Sequence, residues 1–127
     1  YSRTGILLNV FNFDKGAMEG IQYLYYPADE ETNSVKIMEE YNCKKGLKNG
    51  SWKQYYKLGR VKSEGNYSMG KRNGLFTYYF ADGTIDKKGS FKNDLKQGDW
   101  FFYDGEKSNM KKATYEKGKL VEKKNEE

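Results

Sequence analysis

Aromatic, glycine and polar positions recur along this chain at a fixed interval. Gly50-Ser-Trp-Lys-Gln-Tyr-Tyr56, Gly74-Leu-Phe-Thr-Tyr-Tyr-Phe80 and Gly98-Asp-Trp-Phe-Phe-Tyr-Asp104 lie 24 residues apart. Gly20-Ile-Gln-Tyr-Leu-Tyr-Tyr26 precedes the first of these by 30, which implies an insertion of six. Such a period is the mark of a repeat architecture. Five positions after each entry glycine stands a tyrosine: Tyr25, Tyr55, Tyr79 and Tyr103. Two positions after it stand Gln22, Trp52, Phe76 and Trp100, and seven before it stand Phe13, Cys43, Tyr67, Phe91 and, carried forward, Tyr115.

All 14 glycines fall on or near repeat columns. Gly16, Gly46, Gly70 and Gly118 precede entry positions by four, with Asp94 standing in once; Gly5, Gly59 and Gly83 share a mid-repeat column, with Gly105 two places early; Gly65 and Gly89 share another. Each unit therefore reads as strand, turn, strand, turn. In the unit from Gly50 the pattern predicts strands over about Ser51 to Lys57 and Val61 to Ser68, a turn around Leu58-Gly59-Arg60, and Gly70 to Gly74 turning into the next unit. Glycine, Asn-Gly and Asp-Gly supply the positive φ that tight hairpins need. A glycine inside a strand, such as Gly65, predicts a bulge or close contact with an opposing ring.

Hairpins added in series predict an all-β fold, an elongated single-layer antiparallel meander in which like columns lie side by side. Trp52 and Tyr55 are three apart, so alternation puts them on opposite faces and both faces carry rings. The array is expected over residues 1–122, with units from about 20, 50, 74 and 98, and a polar tail over 123–127. Tyr1 and Gly5 fit the register of a unit already under way, which predicts that the native polypeptide extends further at its N-terminus.

Composition agrees with strands. Twelve tyrosines, seven phenylalanines and two tryptophans make up 17% of the 127 residues, while hydrophobic residues overall are 36%. Rings suit a pleated, half-buried surface. Pro27 is the single proline, histidine is absent and Cys43 is the one cysteine. Ser-His-Asp and Cys-His machinery and internal disulfides are thereby excluded, and no apolar run is long enough to cross a membrane as a helix.

The net charge of +5 is uneven: residues 1–43 hold 3 basic and 7 acidic residues, the remainder 20 and 11. Nearly all the basic residues are lysine, which reads phosphates and bases less well than arginine. Lys44, Lys45, Lys48, Lys71, Arg72, Lys87 and Lys88 form a candidate basic patch. Asp82, Asp86, Asp99 and Asp104 are candidates for acid–base work, but Asp82 and Asp104 precede turn glycines, where aspartate caps a turn. Cys43 reads as a small buried rung in a ring column rather than a nucleophile.

The pattern Asn-Gly-x-Trp/Phe-x-x-Tyr-Tyr, followed by x-x-Gly and a second Gly-x-Tyr/Phe-x-x-Gly strand, resembles MORN repeats. It is most similar to the bacterial variant in proteins labelled YwqK-type antitoxins. The resemblance runs from Tyr1 to about Leu120 and departs at Pro27 to Ser34, Gln22 and Asp94. It implies a single-layer sheet of hairpins serving as a scaffold, a protein-binding surface or a phospholipid contact, with no agreed active site. No phosphate-binding glycine loop accompanies it, because the Gly-Lys-Ser/Thr ending is missing, and no cofactor or metal motif is present.

The expectation is a non-catalytic repeat scaffold that binds a protein partner, in an antitoxin-like manner, through Tyr25, Tyr55, Tyr79, Tyr103, Trp52, Phe76 and Trp100. The alternative is an anionic surface, phospholipid membrane or nucleic acid, held by the turn lysines. Open strand ends favour self-association, end to end or face to face.

Overall fold

In the computed structural model the residues described are 9–10, 13–28, 31–32, 35–105 and 109–125. Tyr1, Gly5, Arg3 and the last two residues of the expected tail lie outside them. The described residues contain no helix and form thirteen strands: β1 (Asn9–Val10), β2 (Phe13–Asp14), β3 (Ala17–Met18), β4 (Gly20–Tyr25), β5 (Ile37–Lys44), β6 (Leu47–Tyr55), β7 (Val61–Ser68), β8 (Lys71–Arg72), β9 (Gly74–Tyr79), β10 (Ile85–Lys92), β11 (Leu95–Tyr103), β12 (Met110–Glu116) and β13 (Lys119–Asn125). The sheet order is β1-β4-β5-β6-β7-β9-β10-β11-β12-β13, antiparallel throughout, with β8 beside β7 and β2 paired with β3. This is an open antiparallel meander of consecutive hairpins. β7 matches the expected Val61 to Ser68, and β13 runs to Asn125, three residues into the expected tail.

One register is repeated five times along the chain. Phe13 pairs with Met18, Cys43 with Lys48, Tyr67 with Arg72, Phe91 with Lys96 and Tyr115 with Leu120. Between the members of each pair the chain reverses through two residues of positive φ, for example Lys45 (53°) and Gly46 (82°). That is a type I′ turn, whose twist matches that of the strands it joins. Each turn is tied to the one before it by a backbone bond: Gly46 N–H to Met18 O (3.0 Å), Gly70 to Lys48 (2.7 Å), Asp94 to Arg72 (3.0 Å) and Gly118 to Lys96 (2.9 Å).

The first residue of these turns is seldom one that favours a left-handed backbone: Lys15, Lys45, Met69, Asn93 and Lys117 all have φ near 50°. A residue with a Cβ is strained there, asparagine least. Met69 is exposed, so Met69→Asn is expected to stabilise the chain by about 1 kcal/mol. Urea titration checks this as a higher midpoint at unchanged slope.

The entry glycines are not part of the turns, which the sequence had placed over Gly70 to Gly74. The reversal is confined to residues 69–70, and Arg72 already pairs back with Tyr67. Gly50 sits inside β6 at φ 108°, where β6 carries Asn49, Gly50 and Ser51 against Asn42 of β5. The left-handed residue makes a bulge. β6 pairs with β5 both before it, at Leu47 and Lys48, and after it, from Trp52 to Gln54, while Gly50 and Ser51 keep their pairing with Tyr67 and Asn66 of β7. At the opposite end of the hairpins, Tyr56 N–H reaches Arg60 O and Phe80 N–H reaches Thr84 O, four residues on, whereas Tyr26 N–H reaches Lys36 O, ten on. The six-residue insertion is therefore confined to that one loop.

Candidate functional site

Strand alternation gives the sheet two unlike faces. On the first, one cross-strand row runs Gln22, Tyr41, Trp52, Gly65, Phe76, Gly89, Trp100, Ala113. Trp52, Phe76, Phe91 and Trp100 form the core, with Tyr41, Tyr67, Tyr78, Phe102 and Tyr115 packed against it. Ring centroids step along it edge to face, Tyr67 to Phe76 at 5.7 Å, Phe76 to Phe91 at 5.1 Å and Phe91 to Trp100 at 5.0 Å. A single layer of sheet has no second layer to cover these rings, yet Phe76 is 0% and Trp100 1% exposed.

Two features account for that burial. The first is the glycine column. A Cβ on Gly65 would stand 2.4 Å from Phe76 ring atoms, and one on Gly89 2.1 Å from Trp100, so each ring lies flat on bare backbone of the neighbouring strand. The second is a column of cations two residues before the entry glycines. Lys48 Nζ stands 4.8 Å from the Tyr41 ring centre and 5.1 Å from that of Tyr67; Arg72 is 4.1 Å from Phe91; Lys96 is 5.0 Å from Trp100 and 4.9 Å from Tyr115. Their stems cover apolar surface while the charges face the ring clouds. Lys48 also pairs with Glu39 (3.4 Å) and Arg72 with Asp94 (2.7 Å). Burial, with Lys87 and Arg72 nearby, lowers the pKa of Lys96.

Two departures from the repeat are absorbed here. Gln22, in the Trp/Phe column, is fully buried and donates Nε2 to the carbonyls of Glu19 (2.9 Å) and Gly20 (3.1 Å). Tyr41 occupies the place of Gly65 and Gly89, and Trp52 beside it donates Nε1 to Glu39 Oε2 at 2.7 Å, whereas Trp100 over Gly89 donates to Ser90 O. Cys43 is buried, and that burial raises its thiol pKa despite Lys48 nearby. A protonated, enclosed thiol is a packing group.

The second face carries the tyrosines. Its middle row runs Tyr23, Glu40, Lys53, Glu64, Thr77, Lys88, Phe101, Lys112. Beside it stand Tyr25, Tyr55, Tyr79 and Tyr103, whose Cα partners are Ile37, Val61, Ile85 and Met110. The tyrosine column thus forms a common row in which rings alternate with aliphatic residues. Tyr55 donates its hydroxyl to Glu40 Oε1 (2.8 Å) and Tyr79 to Glu64 Oε2 (2.5 Å). In the adjoining column, Tyr26 and Tyr56 donate to the carbonyls of Tyr55 (2.5 Å) and Tyr79 (2.6 Å), stapling each hairpin to the next.

Burial followed by the bond to Glu40 pushes the Tyr55 pKa up to about 12, and the bond to Glu64 followed by burial does the same for Tyr79. In the unfolded chain both ionise near 10.0. The stability these tyrosines contribute is complete below that value and is lost as pH rises toward 12, because the unfolded chain releases protons that the folded one retains. Tyrosinate absorbance during an alkaline titration is expected to show both residues ionising late. Glu64→Gln, which removes the negative charge, is expected to return Tyr79 toward the main group.

The seven residues of the expected binding face are therefore split. Tyr25, Tyr55, Tyr79 and Tyr103 line the second face, while Trp52, Phe76 and Trp100 are core of the first and present no surface. The seven basic residues are not one patch either. Lys44, Lys45 and Lys71 are exposed at the turns, Lys48 and Arg72 are engaged with rings and carboxylates, Lys87 lies over the Tyr78 ring at 5.0 Å, and Lys88 belongs to the tyrosine face. Lys96, absent from the expected patch, completes the cation column. Asp82 is a turn residue, its Oδ1 accepting from Thr84 N–H (2.9 Å) and Oγ1 (2.7 Å), and these bonds lower its pKa. Asp99 accepts from Thr114 Oγ1 at 2.6 Å. Among the described residues no three His, Cys, Asp or Glu side chains are grouped to hold a metal ion. No protein-family model matches the chain, and no curated protein matches it.

Proposed function

We propose that this chain is a non-catalytic repeat platform that binds a protein partner through its tyrosine face, as the resemblance to MORN-type repeats suggests. One observation carries the reading: the two faces are finished differently. The first is sealed by its own rings, glycines and cations, and its largest side chains are fully enclosed. The second leaves tyrosines and aliphatic residues in alternation along one row, with no second layer over them among the described residues. Tyrosine gives large contact area at low entropic cost, with a hydroxyl at the wet end. The bonds to Glu40 and Glu64 hold two of the four rings in place before a partner arrives, which lowers the ordering cost of binding. An antitoxin-like role, in which the face holds a second protein inactive, is one form of such binding.

The test is retention of partner proteins from a cell extract by immobilised wild type, Tyr79→Ser/Tyr103→Ser and Lys45→Ser/Lys71→Ser chains. Loss with the tyrosine pair, retention with the lysine pair and persistence at high salt are expected. Binding of anionic vesicles or oligonucleotides at low salt, abolished by the lysine pair, would replace this reading with the electrostatic one.

A further inference from the structure

The tyrosine face is complementary to itself, and from this we infer that its partner is a second copy of the same chain. This rests on the reading of that face as the contact surface. On one side of β9 the middle row carries Glu40 and Glu64 with Lys53 between them, and on the other Lys88 and Lys112 with Phe101 between them. A two-fold axis lying along β9, through Leu75, Thr77 and Tyr79, turns this face onto itself with the strand order reversed and the rows kept in place. β7 then meets β10 of the other copy, β6 meets β11 and β5 meets β12.

Every charge of the middle row finds a suitable neighbour under that operation. Glu64 faces Lys88, Glu40 faces Lys112, Lys53 faces the Phe101 ring and Thr77 faces itself. In the tyrosine row Tyr55 faces Tyr103, Tyr79 faces its own copy and Val61 faces Ile85. On the far side of the middle row Leu75, 59% exposed, meets Leu75 at the axis, flanked by polar Ser51, Asn66, Ser90 and Asp99. Apolar contact at the centre with a polar rim is the anatomy of a protein interface.

A closed two-fold pair of this kind is the commonest assembly of identical chains. The extent is sufficient as well. Seven strands, β5 to β7 and β9 to β12, at about 4.8 Å spacing span roughly 34 Å, and three rows of side chains span roughly 20 Å. That is about 700 Å² per copy, near the 800 Å² per partner of a standard interface. Sheet twist sets two packed sheets about 30° apart, so the matches are closest beside the axis, where Glu64 and Lys88 lie.

Sedimentation equilibrium tests the pairing by charge exchange. Wild type is expected to be a dimer that loosens with salt. Glu64→Lys and Lys88→Glu, each set like charges together twice by symmetry, are each expected to weaken the dimer about tenfold or more. An equimolar mixture of the two variants restores opposite charges at both contacts and is expected to recover the dimer. Circular dichroism and melting confirm that each variant is folded. A second measurement uses Leu75→Cys in a Cys43→Ala background with a bismaleimide about 10 Å long, the spacing of packed sheets. Crosslinking to dimer is expected there and not from Leu58→Cys at a distant turn. A monomeric wild type, or single variants that dimerise as well as wild type, overturns the proposal. If wild type is monomeric yet Tyr79→Ser/Tyr103→Ser still loses a captured protein, the second copy is excluded and the platform reading stands.

Discussion

Gly89→Ala is expected to destabilise the chain by about 3 kcal/mol, and Gly65→Ala by a similar amount. Neither glycine has the left-handed φ of the entry and turn glycines, so alanine costs nothing there in backbone strain. The cost comes from what lies above. The new methyl carbon would stand 2.1 Å from Trp100 atoms at Gly89 and 2.4 Å from Phe76 atoms at Gly65. These contacts fall on the body of each ring, which cannot swing aside because its other sides are packed. Phe76 has Trp52, Tyr67 and Phe91 around it, and Trp100 has Phe91, Phe102 and Tyr115. The protein contains its own control. Ala113 occupies the same column one unit later and is buried, and its partner on β13 is Lys123 rather than a ring. A melting or urea series on Gly65→Ala, Gly89→Ala and Ala113→Gly should show two large losses and one small one.

Trp100→Ala is expected to cost about 4 kcal/mol, and Phe76→Ala nearly as much. Both side chains are almost wholly enclosed. Truncation leaves a cavity floored by glycine, and glycine has no side chain with which to refill it. The loss also reaches the cation column, since Lys96 rests against Trp100, Phe102 and Tyr115 together. Because each hairpin leans only on its neighbours, the damage should be local. Hydrogen exchange is expected to quicken in β10 to β12 for Trp100→Ala while β4 and β5 retain their protection. Uniform loss across the sheet would show instead that the array folds as one indivisible unit.

The spacing of rings and glycines made the fold legible. Strand β7, the meander, the six-residue insertion and the alignment of Tyr55, Tyr79 and Tyr103 all follow from columns 24 residues apart. Three features did not follow. Gly50 and Gly98 sit near turns in sequence, yet their positive φ serves a bulge within a continuous strand rather than a reversal of the chain. Separating those two uses of glycine requires knowing which strand pairs on each side. Trp52, Phe76 and Trp100 read as surface because a single layer offers nothing to cover a ring. The covering comes from Gly65 and Gly89 beneath Phe76 and Trp100, from the neighbouring rings Tyr67 and Phe91, and from Lys48, Arg72 and Lys96 laid over Tyr67, Phe91 and Trp100. The cation column was visible in the sequence at 24-residue spacing, and lysine's usual place in solvent concealed its role. The two-sided charge order across β9 could be seen only once the register set Glu40, Glu64, Lys88 and Lys112 in a single row.

The central claim is that rings lie on glycines of the adjacent strand, and a double-mutant cycle between Gly89 and Trp100 tests it most directly. With Trp100→Leu already in place, adding Gly89→Ala is expected to cost under about 1 kcal/mol, against about 3 kcal/mol in the wild-type background. Equal costs in the two backgrounds would mean that the indole does not rest on that backbone, and the account of how a single sheet buries its core would fail.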